Sequence, residues 1–314
     1  MSDNHKYVKS PINFSLMQYK CIILRVYQQI QADNLSLVSA GVAFYFLLAV
    51  FPLLAGVISL YGLLVQPTEL QSHIGLLIGI LPEQSRYLLE EQLLAIIEQS
   101  SKNLGWGIFL SISLTLWSAS KGAGALVEAC HITYNEKNQR DFLIGILVRF
   151  AVTLIMIFII IFSLILITAL PTLIAYLVDI EINKADVKWI TWPMLFVLFN
   201  LSLAALYRYA PHRVNPKWKW VTPGALIATF LWVGASVGFS FYVSEYGSYN
   251  ETYGSVGGVI VLLMWFYLSA FIVLWGSELN AAIEQQTLYD STVGKDKPLG
   301  ERGAVVADTV PRGL

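Results

Sequence analysis

The sequence predicts an all-α fold, a polytopic membrane helical bundle with six transmembrane helices and an extracytoplasmic amphipathic helical segment. Three observations carry this. Only 13% of the 314 residues are charged and 56% are hydrophobic, about half the charge of a soluble chain. Several stretches run for roughly 20 or more residues with almost no charge, the length that crosses a bilayer. Lys and Arg divide unevenly between alternate connections, with 16 on one side and Arg86, Lys102, Lys184 and Lys188 on the other. By the positive-inside rule, both termini belong in the cytoplasm.

Each element follows from its own pattern. Residues 1–34 form an N-terminal arm, where Phe14, Met17, Ile23, Tyr27 and Ile30 alternate with Lys20 and Arg25 as in a helix lying on the membrane surface. Asp33 and Asn34 suit the cap of the next helix. A membrane domain spans 35–286. Its first span covers 35–65, with Pro52 as the expected kink. Spans follow at 106–126, 142–177, 189–207, 221–243 and 256–283. Between the first two, segment 68–103 holds five Glu and two basic residues. Leu70, Ile74, Leu77 and Leu81, then Leu89, Leu93, Ile96 and Ile97, recur at helical spacing. That predicts two amphipathic helices outside the bilayer core, a candidate docking surface for an envelope protein. The tail, 287–314, is polar and Gly-rich, which predicts cytoplasmic disorder. The first 20 residues hold no apolar run of signal-peptide type, so the first span is expected to direct its own insertion.

Blocks along the chain resemble a known family. Asp33-Asn34-Leu35-Ser36 leads into Ala43-Phe44-Tyr45 and Phe51-Pro52-Leu53-Leu54. Leu116-Trp117-Ser118-Ala119-Ser120-Lys121 and Tyr207-Arg208-Tyr209-Ala210-Pro211 follow. Tyr253-Gly254-Ser255, Leu262 to Leu268 and Gly276-Ser277-Glu278-Leu279-Asn280 complete the series. In order and spacing, residues 33 to 284 resemble the YihY/BrkB family of bacterial inner-membrane proteins. Lys121 stands where that family usually has Arg, and Ser277 where it usually has Ala. The resemblance implies six spans and an inner-membrane location, and little about activity. Members have been linked to serum resistance and to export of lipid-like envelope molecules, and the family once carried the label ribonuclease BN.

Four charged residues fall at lipid depth: Lys121, Arg149, Arg208 and Glu278, all in the cytoplasmic third of their spans. Such charges face a bundle interior or a wet cavity, unless Lys and Arg near helix ends reach the head groups. Small residues around Lys121 favour an interior position for it, and Glu278 is its natural partner, or Arg208's. Three cations against one anion would leave positive charge for an anionic head group. Gly234 and Gly238, spaced G-x-x-x-G, suit close approach of another helix, as do Ser36, Ser39, Ala40 and Ala43.

Catalytic residues are not expected. His5, His73, His131 and His212 are scattered without metal-ligand spacing, and there is no G-x-S-x-G, P-loop or paired-carboxylate motif. Cys21 and Cys130 form no spaced pair. A net charge of −1 gives no basis for nucleic-acid binding. No cofactor or metal is implied. The reading is a transporter or flippase of an amphipathic, anionic, lipid-like molecule, with membrane lipids as its partners. A membrane scaffold without transport is the alternative, and an intramembrane enzyme ranks third. The sequence leaves substrate, direction, coupling and oligomeric state open.

Overall fold

A computed structural model describes residues 7–61, 106–178, 184–246 and 256–309. Segment 68–103, with its two expected amphipathic helices and its candidate docking surface, lies outside these residues. Among the described residues the fold is helical, with a single isolated bridge between Pro216 and Thr292. The helices are α1 (Leu16–Ala32), α2 (Leu35–Tyr61), α3 (Trp106–Thr133), α4 (Phe142–Val178), α5 (Lys184–Tyr209), α6 (Trp218–Tyr246), α7 (Val256–Gln285) and the short α8 (Val305–Asp308).

Four segments have the length and apolarity to cross a membrane: Phe142–Leu170, Trp189–Tyr209, Trp218–Glu245 and Gly257–Gln285. The α1–α2 pair supplies a fifth if it is taken as one bent span. Six spans were expected; among the described residues four qualify separately, and up to five with the bent pair. Their outward faces carry Phe158, Phe230, Val237 and Phe241, all more than half exposed. Apolar surface this continuous requires a lipid solvent.

The arm opens with a capping box. The Ser15 hydroxyl accepts from the Gln18 amide at 3.3 Å, and the Gln18 side chain accepts from the Ser15 amide at 2.8 Å. Asp33 closes α1, and Asn34, in the left-handed region at φ 48°, starts α2 with its carbonyl. This junction turns the chain by 63°. Far from standing apart, the arm packs Val8, Phe14, Ile22 and Val26 against Trp220, Leu279, Ala282 and Ile283. Helix α7 is the hub of the bundle. It packs on α2 through Leu35, Val42, Ala270 and Leu274, and on α5 and α6 through Tyr207, Ala225, Ala228 and Ile272.

At the α6–α7 crossing the two backbones come close together. A Cβ on Gly224 would stand 2.2 Å from the Gly276 carbonyl oxygen, and one on Gly276 would stand 2.6 Å from the Ala228 Cβ. Gly234 and Gly238 play no such part among the described residues, where neither has an atom within 4 Å of an added Cβ. The G-x-x-x-G expectation is corrected accordingly. Spacing selects one face of a helix, but a partner must lie over that face, and α7 covers the face carrying Gly224 and Ala228. Of the small residues on α2, Ser39 and Ala43 are buried, while Ser36 and Ala40 are exposed. Pro52 lies within α2.

The C-terminal segment is a second correction. Residues 287–309 are folded, although composition predicted disorder. Arg302, 4% exposed, donates to the carbonyls of Leu288 (2.6 Å), Ala307 (2.8 Å) and Lys297 (3.2 Å). The Asp290 carboxylate accepts from the amides of Lys297 and Thr292 and from the Thr292 hydroxyl. Burial alone would push this carboxyl up, but those hydrogen bonds outweigh it and hold Asp290 below the ordinary carboxylate range. Amide and carbonyl bonds from Val214, Lys217 and Asn215 tie the segment to the α5–α6 loop, and the Val305 amide donates to Glu136. Composition misses this because the order comes from a few buried polar hubs, with Gly303 in the left-handed region at φ 70° closing one turn.

Val8 and Thr287 exchange hydrogen bonds through the threonine hydroxyl, so the start of the described chain and the end of α7 lie on the same side of the bundle.

Candidate functional site

The four expected site residues do not converge. Glu278 is buried at 1% exposure, as anticipated, but Lys121 is exposed and sets its ammonium 4.9 Å from the Trp117 ring centroid. Successive helix positions are about 100° apart. The interior residues Ser120, Gly122 and Ala123 therefore turn Lys121 outward, onto the Trp117 face. The expectation that Lys121 and Glu278 meet inside the protein is corrected. Arg149 is half-buried across Gly124 of α3 and donates to the Gly145 carbonyl at 3.3 Å. Arg208 is half-buried, with its guanidinium 4.7 Å from the Trp218 ring and 5.3 Å from Tyr209. No described cation forms an ion pair with Glu278.

Glu278 instead meets another acid. The carboxyl of Asp33, at the α1–α2 junction, lies in contact with it. Among the described residues no other donor reaches either Glu278 oxygen or Asp33 Oδ2. The sequence offered Asp33 only as a helix cap, and its position two residues before a long apolar span was the available signal.

Six residues further along α7, Glu284 is handled differently. Its carboxylate accepts from Arg213 at 3.0 Å, with both side chains fully buried, and from the Ser291 hydroxyl at 2.6 Å. The Arg213 guanidinium lies 4.1 Å from the Tyr134 ring centroid. In the sequence, Arg213 counted only as one more loop charge. Asn280, between the two acids, accepts from the Gly224 amide and donates to the Val221 carbonyl, which fixes α6 on α7 at their crossing.

Two cavities, each of about 510 Å³, border this region. One is polar and open, lined by Glu136, Lys137, Gln139, His212 and Arg213 among others. The other is a largely apolar groove between α1, α6 and α7. Ile22, Val26, Ile227, Trp275, Leu279 and Ile283 form its walls, with Pro11 and Ile12 at one end. The Lys219 ammonium donates to the Lys9 carbonyl beside that end. Among the described residues there is no group of three or more His, Cys, Asp or Glu that could hold a metal ion.

An all-helical bundle of long apolar helices, wrapped in exposed apolar side chains and enclosing charged groups, defines a multi-pass membrane protein. Comparison with known proteins gives its family. The chain matches the Virulence factor BrkB family over residues 26–299 and belongs to it. It is 33% identical over 254 residues to YfkH of Bacillus subtilis (strain 168), a protein named ribonuclease-like, covering 79% of this chain and 90% of that one. It is 31% identical over 103 residues to a UPF0761 membrane protein of Tolumonas auensis, a third of each chain. It is 37% identical over 86 residues to UPF0761 membrane protein PSHAa0171 of Pseudoalteromonas translucida, covering 27% of this chain and 28% of that one. No solved structure matches it.

Proposed function

We propose that this protein moves an amphipathic, anionic, lipid-like molecule across or out of the bacterial inner membrane, with both termini in the cytoplasm. The observation that carries this reading is the apolar groove between α1, α6 and α7. Its surroundings expose Ile12, Ile23 and Tyr27, each above 60%, so the medium that meets the groove is lipid, and its natural occupant is an acyl chain. Lys9 and Lys219 stand by the groove's end at Pro11, where an anionic head group would find two cations. The excess of Lys and Arg on the termini's side supports the orientation. Carrying the load by binding and conformational change asks no catalytic residues of the chain.

The test uses purified protein in vesicles containing an acyl-labelled phosphatidylglycerol, with surface-accessible label quenched over time. Protein-dependent movement of the probe is expected, and filling the groove with Ile227→Trp and Leu279→Trp should abolish it while the protein still folds. Movement no faster than in protein-free vesicles would refute the transport reading.

A further inference from the structure

We propose that Asp33 and Glu278 form a proton-binding site inside the membrane bundle, holding one proton between their two carboxyl groups near neutral pH. The argument is one of donors. The two carboxyls touch, Glu278 is 1% exposed, and no donor from any other described residue reaches its oxygens or Asp33 Oδ2. A carboxylate is acceptor-only, so the contact becomes a hydrogen bond only when one of the pair carries a proton. Like charges at such a separation resist joint ionisation, which is how paired carboxyls come to share a proton.

Among the described residues the surroundings supply no competing counter-charge. From α1, the Arg25 guanidinium goes to the Ala282 carbonyl, one turn beyond Glu278, with Cys21 beside it. From the end of α3, Thr133 meets the Ser277 hydroxyl, and the buried Cys130 thiol and Tyr134 phenol are the titratable groups there. Tyr207 of α5 donates to the Val273 carbonyl. On the α6 side, Asn280 is taken up by Gly224 and Val221, and Lys219 by Lys9. Arg213 is held by Glu284. Asp33 is half-buried, so a proton can reach the pair from the side on which the termini lie. If the transport reading holds, this proton is a coupling ion available to a chain without a nucleotide-binding loop, but the site itself does not depend on that reading.

Infrared difference spectroscopy on the purified full-length protein, titrated from acid to alkaline pH, tests it directly. Near neutral pH a protonated-carboxyl C=O band should be present. Carbon-13 labelling of glutamate or aspartate in the unaltered protein should shift it, and Glu278→Gln should remove it. In Asp33→Asn, loss of the like charge should lower the titration midpoint by about one pH unit. Absence of a protonated-carboxyl band near neutral pH would overturn the proposal. So would a band that survives both substitutions, or a band that appears only when sodium or potassium is removed, which would make the pair a metal-cation site. The readout needs no transport, so its failure and a failure of lipid movement are separately visible.

Discussion

Glu278 and Glu284 stand six residues apart on α7, roughly 9 Å along its axis, and both are 1% exposed. Their surroundings have little in common. Glu284 is locked by Arg213 and Ser291, with the Tyr134 ring against the guanidinium. Among the described residues Glu278 has only Asp33. The contrast teaches that burial of a charge does not by itself announce a structural role. An acid given a cation and a hydroxyl fastens the end of the bundle to the α5–α6 loop, whereas an acid given another acid remains free to gain and lose a proton.

Breaking the locked acid has the largest expected effect. Arg213→Ala leaves Glu284 buried without its cation and should cost about 3–5 kcal/mol of stability, read as a large drop in the thermal unfolding temperature in detergent micelles. Crowding the hub helix comes next. Gly224→Ala places a Cβ against the Gly276 backbone carbonyl and should cost about 1–3 kcal/mol. Gly234→Ala meets open space and should stay within about 0.5 kcal/mol. The same unfolding measurement ranks the pair, and equal effects would return the helix seam to the G-x-x-x-G face.

The C-terminal segment gives a smaller, pH-dependent effect. Asp290 is held below the ordinary carboxylate range. Its contribution is therefore complete above about pH 3.9 and is lost as pH falls through the lower folded value. Hydrogen exchange of residues 287–309 should accelerate in that acid window, and Asp290→Asn should flatten the dependence.

What was legible in the sequence was whatever depends on length and period. The helix class, the amphipathic arm and the helices from Trp106 onward follow from apolar runs, and the described ends fall within a few residues of those expected, apart from α3, which continues to Thr133. What was not legible depends on rotation and on contacts distant in sequence. Lys121 lies on the expected helix, yet one position's rotation sets it beside Trp117 rather than inside. The Asp33–Glu278 contact joins residues 245 positions apart, and the Arg213–Glu284 pair joins a loop to a helix end. The tail misled because a Gly-rich, polar composition is shared by disordered chain and by a segment organised around Arg302 and Asp290.

Thermal unfolding of Glu278→Gln beside Glu284→Gln, in the same lipid or detergent near neutral pH, tests the contrast most directly. The account predicts that Glu284→Gln falls clearly below the unaltered protein, because an amide cannot neutralise buried Arg213. It predicts that Glu278→Gln stays close to level, because the amide donates to Asp33 in place of the shared proton. A fall in Glu278→Gln equal to or larger than that in Glu284→Gln would contradict it.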